Sequence, residues 1–171
     1  RLQAPMHTAA LLFVLASPNA QDFPSHAVTT LGDGEAPPTI DGCLKEPLWS
    51  RVTPLTGLRQ VLPETGDPAS ERTEVRLCFG PQELYIAVSC FDSQPELIRE
   101  VSMARDARLN ADDRFELLFD TFNDNRNAFW FQMSAAGSRG DALITKNGSN
   151  FNKPWNGLWV GRSRVTDEGW F

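Results

Sequence analysis

The chain has 171 residues, enough for one domain with a core of its own. With 41% hydrophobic and 22% charged residues it reads as a folded domain rather than a disordered chain. The formal net charge of −6 argues against nucleic acid as a partner, because phosphate binding needs a basic face.

The first twenty residues read as a processing signal. Arg1 and His7 precede or open an apolar run, Ala9–Ala16, and Pro18-Asn19-Ala20 closes it with small residues. A basic start, a short apolar run and a small-residue exit describe a secretory signal peptide over 1–20, and the run is too short to span a bilayer as a helix. Met6 is a candidate true start. Residues 21–38 are rich in Gly, Pro, Ser and Thr without periodicity and read as a linker, with ordered structure expected from about Thr39. His7 and His26 both precede that point, so no histidine inside the domain is expected as a metal ligand or general base.

Asp41-Gly42 reads as a turn. Leu44, Leu48 and Trp49 can share one side of a short helical turn, where Trp49 is expected as a core plug among apolar neighbours. Pro54–Gln60 reads as a short strand and Pro63–Ser70 as a loop. Arg72–Phe79 alternates, with Val75, Leu77 and Phe79 on one side and Glu74, Arg76 and Cys78 on the other. After a turn at Gly80–Glu83, Leu84–Phe91 alternates again, which makes a hairpin. Arg76 reads either as a donor to sugar hydroxyls or as a solvated or ion-paired strand charge. Cys43, Cys78 and Cys90 form no C-x-x-C spacing, and Cys78 and Cys90 sit out of register across the turn, so the expectation is buried thiols rather than a bridge or a zinc site.

Asp92–Glu100 reads as one helical turn capped by Asp92 or Ser93, and Val101–Asp106 as a short strand. The second hairpin is the most sharply patterned part of the chain. In Asp113–Asp120, Phe115, Leu117 and Phe119 share one side, and Arg114, Glu116, Leu118 and Asp120 the other. In Ala128–Ser134, Phe129, Phe131 and Met133 oppose Ala128, Trp130, Gln132 and Ser134. Thr121–Asn127 between them carries Asn and Asp, which tolerate left-handed dihedrals, and reads as the hairpin loop. The apolar sides belong in a core. On the other side, an aromatic ring stands among planar polar groups, which suits either a sugar site or an ordinary outer sheet face.

A turn at Ala135–Gly140 leads to a strand over Asp141–Lys146. Asn147–Trp159 is dense in Asn, Gly and aromatics and reads as a loop. A tryptophan among amides suits carbohydrate, since sugar C–H groups pack on a ring while Asn, Gln, Arg and Glu bond the hydroxyls. Trp155 stands equally as such a platform and as a ring closing one end of the fold, whereas Trp159 reads as core or half-core. Val160–Val165 reads as a strand, Thr166–Gly169 as a turn, and Trp170-Phe171 opens another strand with no closing element after it, so further strands are expected beyond Phe171.

The ordered set Ile40-Asp41-Gly42-x-Leu44-x-Glu46-x-x-Trp49, Thr73-Glu74-Val75-Arg76, Leu84-Tyr85-Ile86-Ala87-Val88, Arg105-Asp106, Asp113-Arg114-Phe115-Glu116, Phe131-x-x-Ser134-Ala135-x-Gly137 with Asp141, and Trp155-Asn156-Gly157-Leu158-Trp159 resembles carbohydrate-binding module family 9-like domains. It is similar above all to the version at the N-terminus of exported bacterial proteins that continue into an outer-membrane β-barrel. Ser134 departs from the asparagine usual in such domains. The resemblance covers about residues 39–171 and implies an immunoglobulin-like or jelly-roll-like β-sandwich, all-β with one or two short helical turns. It also implies carbohydrate binding, with two tryptophans holding a sugar and structural calcium nearby. Asp106, Asp112, Asp113 and Asp141 are the acids that could supply oxygens for calcium, but no loop has a calcium-binding spacing and no cofactor is required.

The expectation is therefore a non-catalytic module of an exported protein, located in the periplasm, the outer membrane or outside the cell. Its partner would be an oligo- or polysaccharide, within a glycan-degradation or uptake system. The expected contacts are Trp155 and Trp130 for stacking, with Arg76, Gln132, Glu116 and Asn156 for hydroxyls. The alternative is a structural domain attached to a barrel, without sugar affinity. Catalysis is a third and weaker reading, since Glu116 with Asp120 or Glu74 offers only the carboxylate pairs of any acid-rich sheet.

Overall fold

The computed structural model describes residues 28–171, so the signal segment, both histidines and the start of the expected linker lie outside the described residues. The chain is all-β, with two antiparallel-rich sheets and one short helix, the make-up expected of a sandwich-like fold. The sheets belong to two compact units, each described by itself: Ile98–Ser163, and 28–97 with Arg164–Phe171.

In the second of these units the two alternating runs become β2 (Thr73–Phe79) and β3 (Leu84–Phe91), paired antiparallel from Thr73↔Cys90 to Phe79↔Leu84. The turn is closed by the Gly80 N–H donating to the Glu83 carbonyl at 2.8 Å. Cys78 lies opposite Tyr85 and Cys90 opposite Thr73, so the cysteines are not cross-strand partners, and all three are thiols. Helix α1 (Pro47–Arg51) starts on a proline, whose fixed φ suits the first helical position. It lays Leu48 and Trp49 against Cys78 and Ala87, with Leu31, Leu44 and Tyr85 at the rim. Trp49 is thus the core plug expected of it. Burial of side chains this size stabilises by roughly 1.5–3 kcal/mol each. The cluster stands on the side of the sheet read as polar, the one carrying Glu74 and Arg76. The helix covers what alternation alone would leave to solvent.

Order starts earlier than Thr39. Strand β1 (Thr29–Thr30) pairs parallel with β2, within the segment read as a linker. Leu31 gains an apolar seat beside α1 and donates its N–H to the Phe79 carbonyl at 2.8 Å, and Arg51 ion-pairs with Glu35. Such ties between distant residues leave no local periodicity. Pro54–Gln60 makes only isolated bridges, Leu55 with Val75 and Arg59 with Pro68. Asp92 caps a 3₁₀ turn at Pro95–Leu97 by accepting the Gln94 N–H.

In the other unit β4 (Arg114–Phe119), β5 (Ala128–Ser134), β6 (Arg139–Thr145) and β7 (Asn150–Asn152) form one antiparallel sheet in sequence order. The 121–127 loop folds as its composition dictates. Asn123 and Asn125 take positive φ, and the Asp120 carboxylate accepts three backbone N–H groups of the loop. The Ser134 Oγ accepts the Ser138 N–H of the following turn at 3.2 Å. Strand β7 arises inside a run read as loop. Three consecutive left-handed residues, Lys146, Asn147 and Gly148, reverse the chain and bring Asn150 to Thr145.

Two expected strands do not form. At 101–106, the Asp112 carboxylate takes the N–H groups of Val101 and Ser102 at 2.6 and 2.8 Å, which removes them from any ladder. Over 160–165, backbone pairing is limited to Arg164, which exchanges hydrogen bonds with Phe171, and to Val165 in β8 (Val165–Thr166), which turns through Asp167-Glu168 into β9 (Gly169–Trp170) alongside β3.

Candidate binding surfaces

Residues directly opposite in the ladder share a side of the sheet, and Glu116 pairs with Gln132 while Leu118 pairs with Trp130. Three expected contacts, Glu116, Trp130 and Gln132, therefore do come together. They are engaged with one another and with the segment before β4. Trp130 Nε1 donates to Glu116 Oε2 at 3.2 Å, and Arg114 Nε donates to Glu116 Oε1 at 2.6 Å. Gln132 Nε2 points to the Ala107 carbonyl at 3.4 Å. The Trp130 ring is 8% exposed, with Phe151 packed edge-on at 5.1 Å and the Lys153 ammonium 5.9 Å above it. The open stacking face expected of Trp130 is occupied by the protein itself.

The other side of this sheet carries Phe129 and Phe131, and Trp155 settles on them, 5.1 Å from Phe129 and 6.1 Å from Phe131. Trp159 packs edge-on to Phe131 at 5.4 Å, with the Arg139 guanidinium over its ring, which agrees with the half-core reading. The anchor of the loop is Asp141, fully buried opposite Phe131. One carboxylate oxygen accepts from Arg105 Nη2 at 2.6 Å, and the other takes the Gly157 N–H. The same Arg105 nitrogen reaches Asn156 Oδ1 at 3.1 Å. A Cβ on Gly157 would lie 3.0 Å from the Trp155 ring, 3.2 Å from Phe131 and 3.3 Å from Asp141, so a side chain there would push these neighbours aside by a few tenths of an ångström. Trp155 stays half-buried, Asn156 is exposed, and the Arg105 side chain is 36% exposed. The result is an aromatic ring, an amide and a guanidinium fixed side by side at the surface. The roles of Arg105 and Asp141 were not read from the sequence, although both sit in motifs that drew notice there.

Arg76 stands apart from the other expected contacts, in the unit built on β2 and β3. Its Nη2 donates to Glu74 Oε2 at 2.7 Å, and Arg72 holds the other Glu74 oxygen at 2.8 Å. Arg76 lines a cleft of about 430 Å³ with Glu46, Trp49, Ser89, Phe91 and Phe171.

The carboxylates considered for catalysis or calcium are each engaged by the chain through at least one oxygen, while Asp106 Oδ1 and Asp112 Oδ2 are buried without a partner. Asp120 organises the hairpin loop, Asp113 accepts the Arg99 N–H at 2.7 Å, and Asp112 holds residues 101–102. Among the described residues no three His, Cys, Asp or Glu side chains gather in a way that could hold a metal ion. No family model, no curated protein and no solved structure matches this chain.

Proposed function

We propose that the chain is a non-catalytic carbohydrate-binding domain of an exported protein, with an oligo- or polysaccharide as its partner. One observation carries the reading. The fully buried Asp141 holds Arg105 and the Gly157 N–H, Arg105 holds Asn156, and Trp155 in the same loop packs on Phe129 and Phe131. A sugar presents an apolar C–H side beside hydroxyls, and this arrangement offers a ring beside planar donors and acceptors. Fixing those groups in advance lowers the ordering cost of binding. The motif order shared with family 9-like modules supports the same reading.

Isothermal calorimetry of the full chain against xylo-, cello- and manno-oligosaccharides tests it. Saturable heat with at least one series is expected, and absence of heat with all three from a folded protein would overturn it. The structural, barrel-attached reading is favoured by a different observation, that Glu116, Trp130 and Gln132 are engaged internally. It predicts that second outcome.

A further inference from the structure

Two side chains that line the cleft beside α1 each carry a buried polar atom without a hydrogen-bond partner. Glu46 Oε1 accepts the Thr39 N–H at 3.0 Å, while Glu46 Oε2 has no hydrogen-bond partner. Arg76 Nη2 is held by Glu74, while Arg76 Nε has none. Buried groups of this kind are normally satisfied, so an idle donor and an idle acceptor on side chains of one cleft call for an explanation. Three aromatic residues stand among the lining: Trp49 from α1, Phe91 from β3, which carries the Arg72 guanidinium over its ring, and Phe171, whose ring packs edge-on to Phe91 at 5.9 Å.

The chemistry of the idle atoms narrows what could fill the cleft. A carboxylate could accept from Arg76 Nε but would meet the Glu46 carboxylate with like charge. An ammonium could donate to Glu46 but could not accept from Arg76. A hydroxyl both donates and accepts. The charged side chains around the cleft, Lys45 and Arg76 against Glu46 and Glu74, balance in sign, so the cleft attracts neither class of ion.

We propose that this cleft is a second binding site, for a small neutral polyhydroxy compound whose hydroxyls take up Arg76 Nε and Glu46 Oε2 and whose C–H side packs on the aromatic lining. Both atoms are sealed at present, so the ligand enters as the ends of these two side chains turn while the backbone stays in place. The site lies in the unit built on β2 and β3, separate from the Trp155 loop, and does not depend on that loop binding anything.

Residue-resolved amide NMR of the full chain, titrated with D-glucose, D-mannose, glycerol and, as a control, sodium acetate, tests the proposal. Saturable shifts are expected at Lys45, Glu46, Trp49 and Ser89 with at least one of the three polyhydroxy probes, and none with acetate. Glu46→Gln keeps an oxygen for the Thr39 N–H and turns the idle acceptor into a donor, and is expected to weaken binding about tenfold. Arg76→Lys keeps a cation for Glu74 but removes Nε, and gives an equivalent loss should the first variant not fold. The proposal is overturned if none of the three probes shifts the cleft amides in a saturable way, as water-filled space would behave. It is equally overturned if acetate shifts them alike, or if folded variants bind as the parent does. Shifts confined to 155–157 would speak for the surface loop alone and against this site.

Discussion

Asp141 shows how one buried side chain can set the geometry of a surface. Its two oxygens hold a guanidinium and a backbone N–H, and through the guanidinium Asn156. Removing it strands a cation that is still partly in water and leaves the Gly157 N–H without its acceptor. Asp141→Ala should therefore destabilise by about 2–3 kcal/mol, at or just below the foot of the range for broken buried pairs because Arg105 keeps part of its hydration, measurable as a shift in the urea midpoint. Cys78 acts at the same scale in the other unit. It has no solvent exposure, and burial pushes its thiol pKa up, with Glu35 adding to the effect and Arg51 opposing it. Burial, and then Glu83, likewise pushes the Tyr85 hydroxyl up. Folding thus favours the neutral form of both groups. Their contribution is intact below the ordinary thiol pKa and is lost as pH rises through it, so urea titrations should show falling stability above about pH 9. In the native state near neutral pH a thiol reagent should label the half-buried Cys43 and Cys90 well before Cys78.

Elements were legible wherever a strand carried its own alternation. The period of two located β2, β3, β4 and β5 to within a residue at each end, and their partners followed from the turns between them. What escaped was held by contacts distant in sequence or by a local turn that carries no periodicity. Strand β1 depends on Leu31 and Arg51, β7 on three left-handed residues in a row, and the irregular path before β4 on carboxylates that take backbone N–H groups. Alternation also assigned Arg76 to an open polar side because it cannot see that α1 folds back over that side. The site was legible as residue types and partly as positions. Trp155 and Asn156 were named, but the residues that fix them act through the fold. The β8–β9 hairpin depends similarly on close approach. Gly169 has a φ of 132°, and a Cβ there would lie 2.1 Å from the Cys90 carbonyl oxygen. Gly169→Ala should cost about 3 kcal/mol or more by chemical denaturation, through forced separation of β9 from β3. The hairpin loop 121–127 gives a pH signature of its own. Backbone N–H donation from Arg126, together with Asn127, holds the Asp124 carboxyl below its usual range. Its support of the loop is present above the ordinary carboxylate pKa and is lost as pH falls through the lowered value, so amide exchange at Arg126 and Asn127 should accelerate only in strong acid.

At the scale of the whole molecule, the net charge of −6 gives a phosphate backbone no overall attraction, and the ring, amide and guanidinium are the groups on which the proposed carbohydrate partner rests. The central claim is that Trp155 and its neighbours bind carbohydrate. A glycan-array screen of the full chain, with Trp155→Ala run beside it and both checked by circular dichroism, tests this most directly. The account predicts that the parent binds a defined set of glycans and that a variant with unchanged β-signal loses them, by about tenfold or more for a stacking ring. Binding that persists undiminished in a folded Trp155→Ala protein, or no binding by the folded parent, would contradict it.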